Sequence, residues 1–208
     1  MKLVILGATG GIGLELVRQA LERGHSVTAL VRRPDRMQPF EGRISILAGD
    51  LLSADTLRAA AAGSETVLSS FGPRVPIAKT DHDLLQRFAA TLTQALKAAS
   101  VRRVIVVSTA FLFRDALLPP AHLFGRLFFS SIVRDSAEME AILMRSDLDW
   151  AIVRPPRLTD QPRAKNYRVR QGHLPAFGFS IPRADVAHFI LEEAERNLHL
   201  RKVVGLSR

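Results

Sequence analysis

The first thirteen residues of the chain, Met1–Gly13, read MKLVILGATGGIG and predict how the rest is organised. The apolar run from Leu3 to Leu6 has the composition of a strand that is covered on both faces of a parallel sheet. Four glycines follow the run, at Gly7, Gly10, Gly11 and Gly13. Glycine lets the main chain turn sharply and approach a ligand, and apolar residues at helical spacing come next. Because a helix N-terminus directs free amides and the helix dipole at one place, we expect a nucleotide phosphate there; the alternative is a glycine-rich turn that binds nothing.

Length, composition and charge narrow the class of protein. The 208 residues are 47% hydrophobic, which is enough to bury the core of a single α/β domain spanning 1–208. The absence of cysteine excludes disulfides and thiolate chemistry, and we expect no metal site. No apolar stretch reaches membrane-spanning length and a strand starts at residue 2, so we expect a cytoplasmic protein without a signal peptide or membrane contact. The net charge of +9 favours anionic ligands, but the arginines are scattered, which argues against nucleic acid as the partner.

Strand and helix patterns alternate along the whole chain, which is typical of a parallel sheet with crossover helices. We therefore predict the α/β class, with a single Rossmann-like domain and a doubly wound parallel sheet. After the first strand, the predicted strands are His25–Val31, Ile44–Ala48, Thr66–Ser70, Val101–Val107, Asp149–Arg154 and a short closing edge strand at Lys202–Leu206. Asp81 is the predicted N-cap of a long helix that ends at Ala99.

The turn after the second predicted strand carries three arginines, Arg32, Arg33 and Arg36, and no acidic residue before Asp35. An acidic side chain at this position binds the ribose hydroxyls of NAD, whereas arginine accommodates the 2′-phosphate of NADP. Guanidinium groups hold phosphate through paired N–H donors. We therefore expect NADP(H) to be preferred over NAD(H), the alternative being a solvated basic turn.

Further candidate cofactor residues follow the other predicted strands, where ligands of open α/β sheets bind. Asp50, after the third strand, either accepts a hydrogen bond from the adenine amino group or caps its own turn. After the fourth strand, the cofactor is expected to pass closely over Phe71-Gly72, and Arg74 to reach phosphate or substrate. Ser108 and Thr109, at the tip of the fifth strand, are expected at the nicotinamide, although isolated hydroxyls also occur in ordinary loops.

Residues 111–130 interrupt the simple pattern and form a predicted insertion on the substrate side. The segment is rich in phenylalanine, with Pro119-Pro120 and basic residues between the rings. One interpretation is a mobile apolar lid over a flat, anionic aromatic substrate. The other is a helix packed against the domain or against a partner copy, and we expect a monomer or a weak homodimer.

Several segments together resemble the atypical short-chain dehydrogenase/reductases of the NAD(P)H-binding type. The GATGGIG turn, the arginine-tipped second strand, Gly49-Asp50 and the LDWAIVRP segment carry this likeness. The segments STAFLFRD, RPPRLTDQP and RADVAHFIL are similar, in order and spacing, to those of the flavin and biliverdin reductases within the family. The resemblance covers almost the whole chain and implies a Rossmann domain with a shallow substrate site above the nicotinamide. It implies cofactor contacts from Thr9, Gly10, Ile12, Arg32, Arg36, Asp50, Leu51, Gly72, Arg74, Thr109 and Pro156.

Two departures from the wider family bear on the chemistry. That family protonates a carbonyl oxygen with a tyrosine and a lysine four residues later, and the matching positions here are Ile132 and Ser136. The chain's single tyrosine, Tyr167, lies beyond the sixth strand without such a lysine. The flavin and biliverdin reductases lack this tyrosine too, but they carry histidines near Ser136 and Arg157, which leaves the choice of substrate open.

These features predict an NADPH-dependent reductase whose acceptor is a flavin, such as FMN or riboflavin, or a linear tetrapyrrole such as biliverdin. Neither acceptor requires protonation of an alkoxide by the protein, so solvent supplies the proton. Arg157 and Arg74 are the predicted catalytic cations beside the developing charge, although Arg157 paired with Asp160 is a structural alternative. Ser108 and Thr109 are predicted to orient the nicotinamide or the substrate. Two other functions stay open: a non-catalytic NADP(H) sensor of the NmrA-like kind, and a reductase or isomerase acting on another small molecule such as a quinone.

Overall fold

A sheet of eight strands forms the centre of the computed structural model, which describes residues 1–73, 83–113 and 130–208. The strands of this sheet are β1 (Lys2–Leu6), β2 (Ser26–Val31), β3 (Ser45–Ala48), β4 (Thr66–Ser69), β5 (Arg103–Val107), β6 (Asp149–Arg154), β8 (Arg168–Gln171) and β10 (Lys202–Ser207), while β7 (Arg157–Thr159) and β9 (Ser180–Pro182) pair with each other in a second sheet. Their order is β3-β2-β1-β4-β5-β6-β10-β8, and only β8 runs antiparallel to its neighbour. The order reverses between β1 and β4, which is the place where ligands of open α/β sheets bind.

Helices cover both faces of the sheet, which confirms the predicted doubly wound α/β fold. The helices are α1 (Gly11–Glu22), α2 (Ala54–Ala61), α3 (Leu84–Ala98), α4 (Ser130–Arg145) and α5 (Arg183–Arg196). One core lies under α1 and α5, and the other lies under α2, α3 and α4. The central strands are therefore apolar on both faces, as parallel strands between two helix layers must be. Within the described ranges, no helix is both long and apolar enough to cross a membrane.

The last strand occupies a different place in the sheet from the one predicted. β10 lies between β6 and β8 rather than at the edge, and both Val204 and Leu206 are fully buried. The true edge is β8, whose four residues are all exposed. The prediction was wrong because the apolar pattern of residues 202–206 shows that the strand is buried, but not which later or earlier segment pairs beside it.

Helix α3 begins later than predicted and is capped by a residue of another helix. Its N-cap is Asp83, while the predicted cap, Asp81, lies outside the described residues. The backbone N–H groups of Leu85 and Gln86 donate to the two carboxylate oxygens of Asp135, in α4, at 2.8 and 2.9 Å. Asp135 is 5% exposed, so this contact satisfies two otherwise unpaired amides inside the protein and ties α3 to α4.

Candidate functional site

Gly7, Gly10 and Gly13 of the first turn differ in how closely other atoms surround them. Gly7 adopts φ +78°, and a Cβ atom there would lie 2.8 Å from the backbone nitrogen of Phe71. A Cβ atom on Gly13 would lie 2.1 Å from the carbonyl oxygen of Gly7, so the close packing of α1 on β1 requires glycine. Gly10 is less crowded, because a Cβ atom there would meet only the Gly7 oxygen, at 3.3 Å. Gly10 is therefore the position of these three where a ligand has room to approach the main chain.

The N-terminus of α1 is electrostatically open to an anion. Its N-cap is Gly10, which has no side chain to accept a hydrogen bond, and its first turn contains no acidic residue. The first amides of a helix lack intrahelical acceptors and carry the positive end of the helix dipole. Thr9, half-buried, precedes this turn, and the side chain of Ile12 is buried in the core, so contact with Ile12 is restricted to its backbone.

The arginine turn lies beyond the carboxyl end of β2, as predicted. Arg32, Arg33 and Arg36 are all exposed, and none of them has an ion pair or side-chain hydrogen bond to another residue in the described ranges. A short 3-10 helix, Pro34–Phe40, follows, and its Met37 is completely buried in the core under α1. This anchor holds three solvent-exposed guanidinium groups next to the end of β1.

The turn after β3 is built by Asp50 itself. One carboxylate oxygen of Asp50 accepts the backbone N–H of Leu52 at 3.1 Å, and its carbonyl oxygen accepts the Thr56 hydroxyl at 2.6 Å. Leu51 is buried in the core under α2 and α3. The turn-capping alternative is therefore realised, while a contact from Asp50 or Leu51 to adenine stays a prediction.

The chain after β4 leaves space for a ligand at one residue. The ring of Phe71 packs against the ring of Phe88 with centroids 4.8 Å apart, which fixes the start of this loop. Among the described residues, leaving out the two chain neighbours of Gly72, no atom lies within 4 Å of a Cβ built on Gly72. The predicted phosphate or substrate residue Arg74 lies outside the described residues, as does most of the predicted insertion, residues 114–129.

The tip of β5 holds an unsatisfied hydroxyl group. The backbone N–H of Ser108 continues the sheet by donating to the Val153 carbonyl at 2.8 Å, but its buried Oγ atom has no hydrogen-bond partner among the described residues. The hydroxyl of Thr109 accepts the backbone N–H of Phe111 at 3.3 Å and caps the short 3-10 helix Ala110–Leu112. A buried hydroxyl without a partner costs free energy, so a polar ligand group at Ser108 would stabilise this site.

The chain after β6 forms the neighbouring wall. The Pro155 carbonyl accepts the backbone N–H of Ala110 at 3.2 Å, and Pro156 then leads into β7, which pairs in parallel with β9. Arg157 is exposed and makes no ion pair within the described ranges. The alternative prediction of an Arg157–Asp160 pair was wrong, because Asp160 is bonded to Arg183, with 2.5 Å between Oδ1 and Nη1.

A buried ion pair behind this wall was missed by the sequence reasoning. Arg154, the last residue of β6, donates from Nε to Glu140 of α4 at 2.9 Å and forms a second bond through Nη2. The Arg154 guanidinium carbon lies 4.6 Å from the centroid of the Phe113 ring. The side chains of Arg154 and Glu140 are 13% and 3% exposed. Together they join α4, β6 and the loop after β5, and no local pattern announces such a contact.

Two exposed phenylalanines, just before the strand that pairs with β7, were also missed. Phe177 and Phe179 are 83% and 63% exposed. Phe179 precedes Ser180, whose backbone is paired with Arg157 in the second sheet. Phe177 has φ +56°, which a bulky residue rarely adopts, and Arg168 braces the turn by donating to the Ala176 carbonyl at 2.7 Å. The loop therefore presents two aromatic rings to solvent.

Tyr167 is held away from this chemistry. Its hydroxyl is 2.8 Å from Nδ1 of His188 in α5, and its ring packs edge-on against Phe189. Burial raises the pKa of Tyr167 to about 12. Ile132 and the buried Ser136, the positions matched by resemblance to the family's tyrosine and lysine, lie in α4, and neither side chain is an acid near neutral pH.

We expect Tyr167 to ionise near pH 12 in the folded protein, compared with about pH 10 for an unfolded chain. Because folding favours the neutral phenol, the stability it contributes is present below pH 10 and is lost as the pH rises toward 12. The chain has one tyrosine, so an ultraviolet titration of the phenolate band, with Tyr167→Phe as the blank, reports this group alone. A midpoint near pH 10 in the native protein would contradict the buried contact with His188.

Comparisons with known proteins agree with this geometry. A family model described as NAD(P)H-binding matches residues 7–197. The uncharacterized protein YwnB of Bacillus subtilis is 28% identical over 96% of this chain and 94% of its own length. The solved structure of ChuY, an anaerobilin reductase from Escherichia coli O157:H7, has a TM-score of 0.83 at 24% identity and covers 100% of this chain and 97% of its own. A short-chain dehydrogenase/reductase from Veillonella parvula, solved in complex with NADP, has a TM-score of 0.83 at 21% identity, over 100% of this chain and 94% of its own.

The fold, the glycine turn and the open strand tips define a dinucleotide-binding Rossmann protein. The chain belongs to the NAD(P)H-binding family, and the resemblance to atypical short-chain dehydrogenase/reductases is confirmed. The described residues fit such a cofactor, because Gly10 and Gly72 leave space for it and the Ser108 hydroxyl lacks a partner that it would supply.

Proposed function

We propose that the protein is an NADPH-dependent reductase that transfers hydride to a flavin or a linear tetrapyrrole without a protein proton donor. The observation that carries this proposal concerns the two positions matched by resemblance to the family's tyrosine and lysine, together with the chain's single tyrosine. Ile132 cannot ionise, Ser136 is buried, and Tyr167 has a pKa of about 12 and bonds to His188. An acceptor ring that delocalises the incoming electron pair does not need such an acid, since solvent protonates it afterwards.

The proposed cofactor site uses residues that follow six strands, β1 to β6. When bound, the nicotinamide cofactor supplies the hydride. The amides at the start of α1 neutralise its pyrophosphate, and Arg32, Arg33 and Arg36 hold the 2′-phosphate. The Ser108 hydroxyl donates to a polar group of the nicotinamide end, and Thr109 orients the same end. Gly7, Gly11, Gly13, Asp50, Leu51, Phe71, Gly72 and Pro156 complete the proposed set.

The proposed acceptor side suits a flat, anionic ring system. Arg157 is exposed and has no competing carboxylate within the described ranges, so its charge is available for a substrate phosphate or propionate. The rings of Phe177 and Phe179, exposed in the segment just before β9, offer apolar surface on which a planar ring can stack. A reductase of this kind is in line with the name of the anaerobilin reductase among the structural relatives. A monomer or weak homodimer in the cytoplasm, without nucleic acid or membrane partners, is part of the same proposal.

A panel of electron acceptors tests the function. Steady-state oxidation of NADPH is measured with FMN, riboflavin, biliverdin, a quinone and no acceptor, and we expect turnover with a flavin or with biliverdin. Turnover with the quinone alone favours the other small-molecule reductase. Tight NADPH binding with no turnover favours the non-catalytic sensor.

In Arg157→Ala, the loss of reductase activity should be larger with FMN than with riboflavin, because riboflavin lacks the phosphate. Equal losses of activity with the two flavins would remove Arg157 from the phosphate site.

We expect the unmodified protein to bind NADPH at least about tenfold more tightly than NADH, which corresponds to about 1.4 kcal/mol. In a variant with both Arg32→Ala and Arg36→Ala, the two dissociation constants should converge, because the 2′-phosphate loses its guanidinium donors. Arg43→Ala is the control for the loss of positive charge, one charge here and two in the double variant, because Arg43 precedes the amino end of β3 at the opposite side of the sheet. Equal affinities for NADPH and NADH before mutation would overturn the cofactor assignment.

A further inference from the structure

Arg183 lies across the glycine turn, although no sequence motif links the two. It is the first residue of α5, which packs against α1, and its long side chain reaches back to the start of α1. A Cβ atom on Gly11 would lie 2.5 Å from Cδ of Arg183 and 2.8 Å from its Nε. The stem of the Arg183 side chain thus occupies the space that a side chain at residue 11 would need. As a result, a guanidinium group lies beside the first turn of α1.

The ion pair that Arg183 forms with Asp160 in this structure is weakened by its exposure to solvent. The Arg183–Asp160 ion pair spans 2.5 Å, but the Asp160 side chain is 90% exposed, whereas that of Arg183 is 30% exposed. Water competes for an exposed carboxylate and screens its charge. A cavity of about 190 Å³ adjoins the pair and is lined by both residues, Gly11, Gln161 and Glu15. The Glu15 carboxylate accepts hydrogen bonds from Arg18 and Gln19, so its charge is partly neutralised within α1. The cavity gives an anion room to reach the guanidinium from the side of the glycine turn.

We propose that Arg183 is a second cation for the pyrophosphate of the dinucleotide, and that Asp160 competes with the cofactor for it. In this arrangement the pyrophosphate accepts N–H bonds from the start of α1 and from the Arg183 guanidinium, while Asp160 is released to solvent. The inference rests on the cofactor part of the proposed function and not on the identity of the acceptor. The proposed role of Arg183 differs from that of Arg32 and Arg36, because every nicotinamide dinucleotide has a pyrophosphate but only NADP(H) has a 2′-phosphate.

The test measures dissociation constants of NADPH and NADH by direct titration, without any acceptor. We expect Arg183→Gln to weaken both cofactors by a similar factor, about tenfold, because a charge-assisted contact common to both is lost. Asp160→Asn should tighten both by about threefold, since the competing carboxylate is neutralised. In the Arg183→Gln/Asp160→Asn double variant, the gain from Asp160→Asn should vanish, which identifies Arg183 as the group through which Asp160 acts.

Two further variants keep the test independent of folding and of general electrostatics. Arg163→Gln removes an equal charge from a residue paired with Glu22, at the far end of α1, and should leave both dissociation constants within about twofold. Arg183→Lys keeps the charge but not the planar donor pair, and should lie between the unmodified protein and Arg183→Gln. Thermal unfolding of each variant shows whether it is folded under the titration conditions.

Three results would overturn the inference: unchanged affinities in Arg183→Gln, a loss confined to NADPH, or a gain from Asp160→Asn that persists without Arg183. Normal dinucleotide binding with no turnover on any acceptor would overturn only the proposed reductase function. If the unmodified protein bound neither NADPH nor NADH, both proposals would fall together.

Discussion

We expect Glu140→Ala to lower the free energy of unfolding by about 3–5 kcal/mol, because the substitution leaves the guanidinium of Arg154 buried without its carboxylate. For a domain of this size, such a loss lowers the melting temperature by about 10 °C or more. Chemical denaturation and calorimetry measure the two quantities. Since Arg154 ends β6 directly before Pro155-Pro156, the same variant should also loosen the wall that carries Arg157.

The matched control is a solvent-exposed ion pair. Arg58 and Asp55 in α2 are 3.5 Å apart with side chains 55% and 90% exposed, so Arg58→Ala should change stability by less than about 1 kcal/mol. A double variant with Arg154→Met and Glu140→Leu should recover most of the loss, because apolar side chains of similar volume need no counter-ion. A Glu140→Ala protein as stable as the parent would show that the pair is not buried in solution.

The second large effect is expected from Gly13→Ala. The added Cβ would lie 2.1 Å from the Gly7 oxygen and 2.7 Å from the Ala8 Cα, and both are backbone atoms that cannot rotate away. Helix α1 must therefore move off β1, which we expect to cost about 3 kcal/mol or more of folding stability. Displacement of the α1 amides should also weaken dinucleotide binding by about a hundredfold, measured by the same titration with NADPH.

Gly72→Ala serves as the control for the folding part of this prediction. Its added Cβ meets no atom of the other described residues within 4 Å, and the φ of Gly72 is not in the left-handed region. The free energy of unfolding of this variant should therefore stay within about 0.5 kcal/mol of the parent. If Gly13→Ala were as stable as Gly72→Ala, α1 would not approach β1 as closely as the structure shows.

Local sequence patterns were sufficient to predict much of the fold. Apolar runs predicted the six parallel strands β1 to β6 within a residue or two at each end, because strands between two helix layers must be apolar throughout. The glycine turn and the arginine turn after β2 were predicted for a similar reason, since each depends on residues adjacent in sequence. Gly24, which follows the last residues of α1, has a φ of +75°, the left-handed conformation in which glycine commonly ends a helix.

Contacts between distant segments could not be predicted in this way. Asp160 was considered as a partner for the nearby Arg157, but the fold brings Arg183 to it from 23 positions away. The buried Arg154–Glu140 pair joins a strand to a helix, and neither residue's neighbours signal the other. A hydrogen bond of this kind depends on where two elements cross, which residue spacing within one element does not encode.

The exposed strand β8 has a consequence for the behaviour of the protein at high concentration. An edge strand offers unpaired N–H and C=O groups on which another chain can add, and this is a common start of aggregation. Here the edge carries Arg168 and Arg170, both exposed, so an approaching copy of the same strand would bring like charges together. The sheet is in this way protected against growth by charge repulsion at that edge, and the protection should weaken as added salt screens the guanidinium groups.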